Sequence, residues 1–151
     1  MNENLNNPGQ EKLDAWIKTQ LNAAVWTLTD KVNIDSPLVE AKPAWMLPYQ
    51  ILIGKIRAQG APKEFEWFIC GDLPTDFLGS TVAATPRDAA RHFALKWQLQ
   101  VARYQDMANQ EPSGSKPELK QDEIDSQLAE KAEALYGLVE NAGLWQQKGS
   151  F

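Results

Sequence analysis

Apolar residues first recur at helical spacing between Leu13 and Val32. Leu13, Trp16, Ile17, Leu21, Ala24, Val25, Leu28 and Val32 follow one another at steps of one, three and four, which lays a single stripe along a helix starting near Glu11. The stripe ends in "NIDSPLVEAKPAWMLP", where Pro37, Pro43 and Pro48 interrupt any regular element. Alternation replaces it in "YQILIGKIRA" and "EFEWFIC", two β-rich runs joined by Gln59-Gly60-Ala61-Pro62 that read as a hairpin. A register placing Arg57 opposite Glu64 and Lys55 opposite Glu66 forms two charge pairs at once. It also sets Gly54 against Trp67, Ile53 against Phe68 and Leu52 against Ile69, so both faces are apolar and both need cover.

A corner, "GDLPTD", precedes a possible third strand in "FLGSTVA". Helical spacing then returns behind a clear start signal. Thr85 supplies an N-cap hydroxyl, Pro86 a pre-set first helical residue, and Asp88 an acid at the third position that can reach back to the cap. The predicted helix runs to about Asn109, with Ala90, Phe93, Ala94, Trp97, Val101 and Tyr104 as its buried face and Leu95 and Leu99 widening it. The segment 111–117 reads as a linker. A last helix, 118–146, follows with Ile124, Leu128, Ala132, Leu135, Val139 and Ala142 on one side. The order predicts an α+β domain in which a small antiparallel sheet packs with three helices: residues 1–10 disordered, 11–110 the domain, and the C-terminal helix packed on it.

Composition narrows the function classes. A chain of 151 residues with 43% hydrophobic and 23% charged residues fits one globular domain. A net charge of −5 argues against nonspecific nucleic-acid binding. The charge is uneven: seven bases against five acids between Ala44 and Tyr104 give +2, and eight acids against four bases from Glu111 onward give −4. No apolar run has the length of a membrane span, the polar start is unlike a secretion signal, and one cysteine rules out an internal disulfide; the expected setting is cytoplasmic.

The segment "GDLPTDF" followed by "ATPRDAARHFALKWQLQ" resembles a family of small bacterial proteins, mostly proteobacterial, known only as a domain of unknown function. The resemblance is sharpest from Gly71 to Gln100, extends loosely back to the first helix, and is not seen in the tail beyond the linker. It implies a stand-alone bacterial protein and carries no activity, cofactor or site residue.

Candidate chemistry gathers around the corner. Cys70, Asp72 and Asp76 lie in "ICGDLPTDF", and the single histidine, His92, follows in the next helix. A fold that brought Asp72 or Asp76 to His92 would offer a general base, and Cys70 would add a thiol; this hydrolase-type enzyme is the third reading. Each corner residue also has a structural role: Pro74 forces the turn, and the aspartates can accept from turn backbone. The second reading is a binder of a small anion at the start of the Pro86 helix, with Arg87, Arg91 and His92, joined by Asp72 and Asp76. Trp16, Trp26, Trp97 and Trp145 sit on or near helical stripes and read as core. The first reading is a non-enzymatic protein that works by contact with a protein partner or a second copy, its surface a hairpin face bordered by Trp45 and Trp67. One histidine, one cysteine and two unpaired aspartates do not make a zinc site, so no metal and no cofactor are expected.

Overall fold

The computed structural model describes residues 8–32, 39–58, 65–110 and 119–146. They form an α+β protein of three helices and one four-stranded antiparallel sheet: α1 (Pro8–Val32), β1 (Val39–Leu47), β2 (Ile51–Ala58), β3 (Glu66–Gly71), β4 (Asp76–Leu78), α2 (Pro86–Gln110) and α3 (Leu119–Glu140), with a 3-10 turn at Ala142–Gln146. The chain divides into two compact units, the first running to Val82 and the second spanning Ala83–Gln147. The boundary between the units falls between β4 and α2, and the segment 111–117, expected as a linker, lies outside the described residues.

In the first unit the strands follow the order β1-β2-β3-β4, so β1 and β4 are its edges. The stripe of α1 packs on one sheet face: Ala24 and Leu28 are buried with Met46, Leu52, Ile56, Phe68, Cys70 and Phe77, and Leu13, Trp16, Ile17, Leu21 and Val25 close the margin. Trp26, expected in the core, is 77% exposed instead; at 100° per residue it lies off the stripe. The helix begins at Pro8, three residues ahead of the expected start, with proline where its missing N–H does no harm. Pro8–Gln10, expected to be disordered, are thus helical, while residues 1–7 lie outside the described residues.

Two strand expectations are corrected. From Val39 to Leu47 the proline-rich segment is not a loop but β1, with Pro43 inside it and a bulge between Pro43 and Trp45, while residues 33–38 lie outside the described residues. An edge strand tolerates proline because the absent N–H faces away from the ladder. A turn at Pro48–Gln50 joins β1 to β2, closed by Gln50 N–H on Leu47 C=O at 2.9 Å, and Tyr49 there rests its ring 5.8 Å from that of Trp16.

The β2–β3 register is one residue away from the charge-paired one: Gly54 faces Phe68, Ile53 faces Ile69, Leu52 faces Cys70 and Lys55 faces Trp67. A Cβ at Gly54 would sit 2.6 Å from Phe68 Cε1, so the glycine makes room for a ring that is fully buried. Burying such a ring contributes about 1.5–3 kcal/mol, more than the roughly 0.2–1 kcal/mol of a cross-strand charge pair. Arg57 pairs with Glu40 of β1 at 3.2 Å, and Glu64 lies outside the described residues. On the opposite sheet face Trp45, Ile53, Trp67 and Ile69 are buried as well. The third strand of the sequence reading is present only as the short β4, which starts at Asp76 and stops at Leu78.

In the second unit α2 packs on α3. Ala90, Phe93, Ala94, Trp97 and Val101 are buried on α2, and Ala132, Leu135 and Val139 on α3. Leu95 and Leu99 do not widen the buried face: they are 49% and 55% exposed, on the side of α2 away from Trp97, and Tyr104 is exposed too. The start of α2 is set as expected, with Asp88 N–H on Thr85 Oγ1 at 3.1 Å and Ala89 N–H on Thr85 C=O at 2.9 Å. The last helix ends at Glu140, and Ala142 is exposed in the turn that follows.

Candidate functional site

The corner after β3 is built from backbone outward. Cys70 ends the buried run of β3 and points into the α1 face of the sheet, where its thiol meets Gln20 C=O of α1 at 3.8 Å. Burial without a charged partner pushes the thiol up from an ordinary 9.0 to about 12, so it is protonated at neutral pH and has no thiolate to offer as nucleophile. Gly71 follows with φ of 111°, a conformation that favours glycine, and a Cβ there would collide with Gln50 C=O. The close approach lets Asp72 N–H donate to that same carbonyl at 2.7 Å, which ties the corner to the β1–β2 turn. The Asp72 residue is exposed. Asp76 is buried, and its Oδ1 accepts the N–H of Phe77 at 2.8 Å, fixing the start of β4.

The other predicted site residues lie in the second unit. Arg87 Nε donates to Val139 C=O at 2.9 Å, so this half-buried side chain closes one of the open carbonyls at the end of α3. Trp145 Nε1 donates to Leu138 C=O at 2.9 Å, a carbonyl that also accepts the Asn141 N–H at 3.1 Å. Arg91 and His92 come together on one carboxylate. Arg91 Nη1 is 3.1 Å from Asp88 Oδ1 and His92 Nε2 is 4.0 Å from the same atom, on a half-exposed helix face. Asp88 thus points forward to Arg91 rather than back to its cap. The two candidate arginines and the imidazole therefore separate: Arg87 serves the α2–α3 packing, while Arg91 and His92 share one acid. Trp45 and Trp67 are 3% and 2% exposed, so neither indole is presented to solvent as a contact anchor. Both sit in strands whose two faces are dry, and Lys55 Nζ lies 4.8 Å over the Trp67 ring. Among the described residues no three His, Cys, Asp or Glu side chains converge as a metal site.

A concave feature of the first unit lies elsewhere, between α1 and the edge strand β1. A groove of about 310 Å³ has Ile17, Leu21, Val25 and Ala41 as its apolar lining and Asp14, Lys18 and Asn22 as its polar lining. Ile17, Leu21 and Val25 recur every four residues and so stand in one row on the helix. Each packs against the core margin while leaving part of its surface open. Sequence reasoning placed these residues on the buried stripe; their groove role depends on β1 being a strand and on its being an edge.

The chain belongs to a family described as a domain of unknown function (DUF4826), whose model matches residues 10–145. The match covers α3 and so takes in the tail that the resemblance in the sequence had left out. No curated protein and no solved structure matches the chain. Among the described residues no helix is long and apolar enough to cross a membrane.

Proposed function

We propose that this family member works by contact, binding a protein partner in the α1–β1 groove without catalysing a reaction. The observation that carries the reading is the groove itself. Its volume of about 310 Å³ is at the lower end of the range for ligand sites, roughly 300–1,000 Å³, and its lining is mainly aliphatic. Such a lining offers apolar area to a partner's side chains. The setting we propose is the bacterial cytosol, supported by the lone sealed cysteine and by the resemblance of residues 71–100 to bacterial proteins. The anion-binding reading has less behind it, because Arg87 is bonded to Val139 C=O and Asp88 already faces Arg91 and His92. The hydrolase reading has least, because its thiol is protonated and Asp76 is occupied by backbone.

The test is selection of binders from a phage-displayed library of seven-residue peptides on the full chain, followed by affinity measurement against Leu21→Lys. A lysine stem covers the same helix surface while its ammonium reaches solvent, so the melt stays close to wild type. Peptides that use the groove lose at least about tenfold in affinity, equivalent to about 1.4 kcal/mol. Recovery only of peptides indifferent to Leu21→Lys refutes the groove as the contact site.

A further inference from the structure

Resting on the groove reading above, we infer that its occupant is an extended partner segment that joins the sheet as a fifth strand beside β1, with one acidic side chain next to Lys42 flanked by apolar side chains that enter the groove. Three observations on β1 converge on this occupant. The first is the open edge. Among the described residues β1 ends the strand order, and β2 is its one strand neighbour. A Cβ at Gly54 would strike Lys42 C=O, so the Lys42 backbone faces β2. By the alternation of a strand, the backbone groups of Ala41 and Pro43 then face the open edge, where Ala41 offers a donor and an acceptor and Pro43 an acceptor.

The second is length and direction. The groove-lining part of α1, Asp14 to Val25, spans about 17 Å at 1.5 Å per residue, which matches about five residues of extended chain. On an added strand, residues opposite Ala41 and Pro43 project toward the Ile17–Leu21–Val25 row, because Ala41 lines that groove. This is the helix-beside-edge geometry in which main-chain pairing gives affinity and alternate pockets give specificity.

The third is charge. Lys42 sits directly opposite Lys55 across the β1–β2 pair, a like-charge juxtaposition that is unfavourable. Among the described residues neither lysine has an acidic partner; Lys42 Nζ lies 4.4 Å over the Phe65 ring and Lys55 over Trp67. The residue of an added strand that falls next to Lys42 is on this same sheet face. An acid there relieves the repulsion, which sets the pattern: one acid beside Lys42, with apolar residues on either side of it entering the groove. Pro43 and the bulge behind it confine pairing to the first half of β1 and keep the edge from indiscriminate strand addition.

The experiment takes a groove-dependent peptide from the selection described above and methylates its backbone nitrogens one at a time, leaving the protein unchanged. Strand addition predicts an alternating result: methylation at every second position weakens binding about tenfold or more, and at the intervening positions changes it about twofold or less. The Ala41 amide becomes protected from hydrogen exchange in the complex. Peptides selected on wild type carry Asp or Glu at one position between two apolar residues, and those selected on Lys42→Glu lose that preference. Loss of binding on methylation at consecutive interior positions means a helical occupant and overturns the strand, while the groove reading stands. Indifference at every position means side-chain contact alone and overturns it equally. Failure to recover any peptide sensitive to Leu21→Lys removes both.

Discussion

Replacing Gly71 with alanine puts a methyl group where the chain leaves β3 for the corner. Two penalties follow from the geometry. A side chain at φ of 111° sits in a region that essentially only glycine occupies, worth about 1–3 kcal/mol of strain. The methyl also meets Gln50 C=O inside van der Waals contact, and the neighbour is backbone that cannot swing away. The Asp72 N–H bond to that oxygen, 2.7 Å in the native chain, must lengthen, which costs about 1 kcal/mol more. Together the expected loss is about 2–4 kcal/mol, a large share of the ~5–15 kcal/mol that holds a typical domain. For a chain of this length it lowers the melting temperature by roughly 5–15 °C. Urea and thermal unfolding of the purified chain measure both figures. The companion variant, Asp72→Asn, keeps the backbone bond and alters an exposed carboxylate; it changes stability by no more than about 0.5 kcal/mol. A Gly71→Ala protein as stable as wild type would refute the reading of "CGD" as a backbone corner, and so would an Asp72→Asn protein that loses more than Gly71→Ala.

The two arginines of α2 are expected to part company. Arg87→Ala leaves Val139 C=O without its donor and destabilises by about 1–3 kcal/mol in urea titration, whereas Arg91→Ala, which breaks an exposed pair with Asp88, changes it by under about 0.5 kcal/mol. Equal effects would contradict the separation of their roles. The Cys70 thiol makes stability depend on alkaline pH. Its folded value of about 12 lies above the ordinary 9.0, so the unfolded chain releases the proton first and stability, full below pH 9, falls toward pH 12 by about 1.4 kcal/mol per unit. Cys70→Ala removes that component, so the difference between the two proteins' unfolding free energies should narrow as pH rises above 9; a constant difference would show that the thiol is not sealed. Thiol titration with a disulfide reagent gives a second reading, with no labelling of the native chain at neutral pH and full labelling in denaturant.

The features legible in consecutive residues are local ones. The row from Leu13 to Leu28 is the buried face of α1 because a 3.6-residue period fixes which side chains share a side, whatever they later meet. Thr85-Pro86-Arg87-Asp88 starts α2 because a cap hydroxyl, a pre-set φ and the first free N–H groups lie within four residues of one another. Register and strand order are of a different kind. The charge pairs Arg57–Glu64 and Lys55–Glu66 are the visible bias in the sequence. The decisive contact, the Phe68 ring over Gly54, belongs to a buried sheet face whose helix cover lies some thirty residues earlier in the chain. Pro43 reads as a breaker until β1 is known to be an edge, where a missing N–H does no harm. The groove exists for the same reason. Ile17, Leu21 and Val25 look like any other core residues in sequence, and only a sheet that ends beside them leaves their outer surfaces uncovered. Periodicity is a property of consecutive residues, whereas an edge is defined by the neighbour that is missing, and that requires the whole sheet to be assembled.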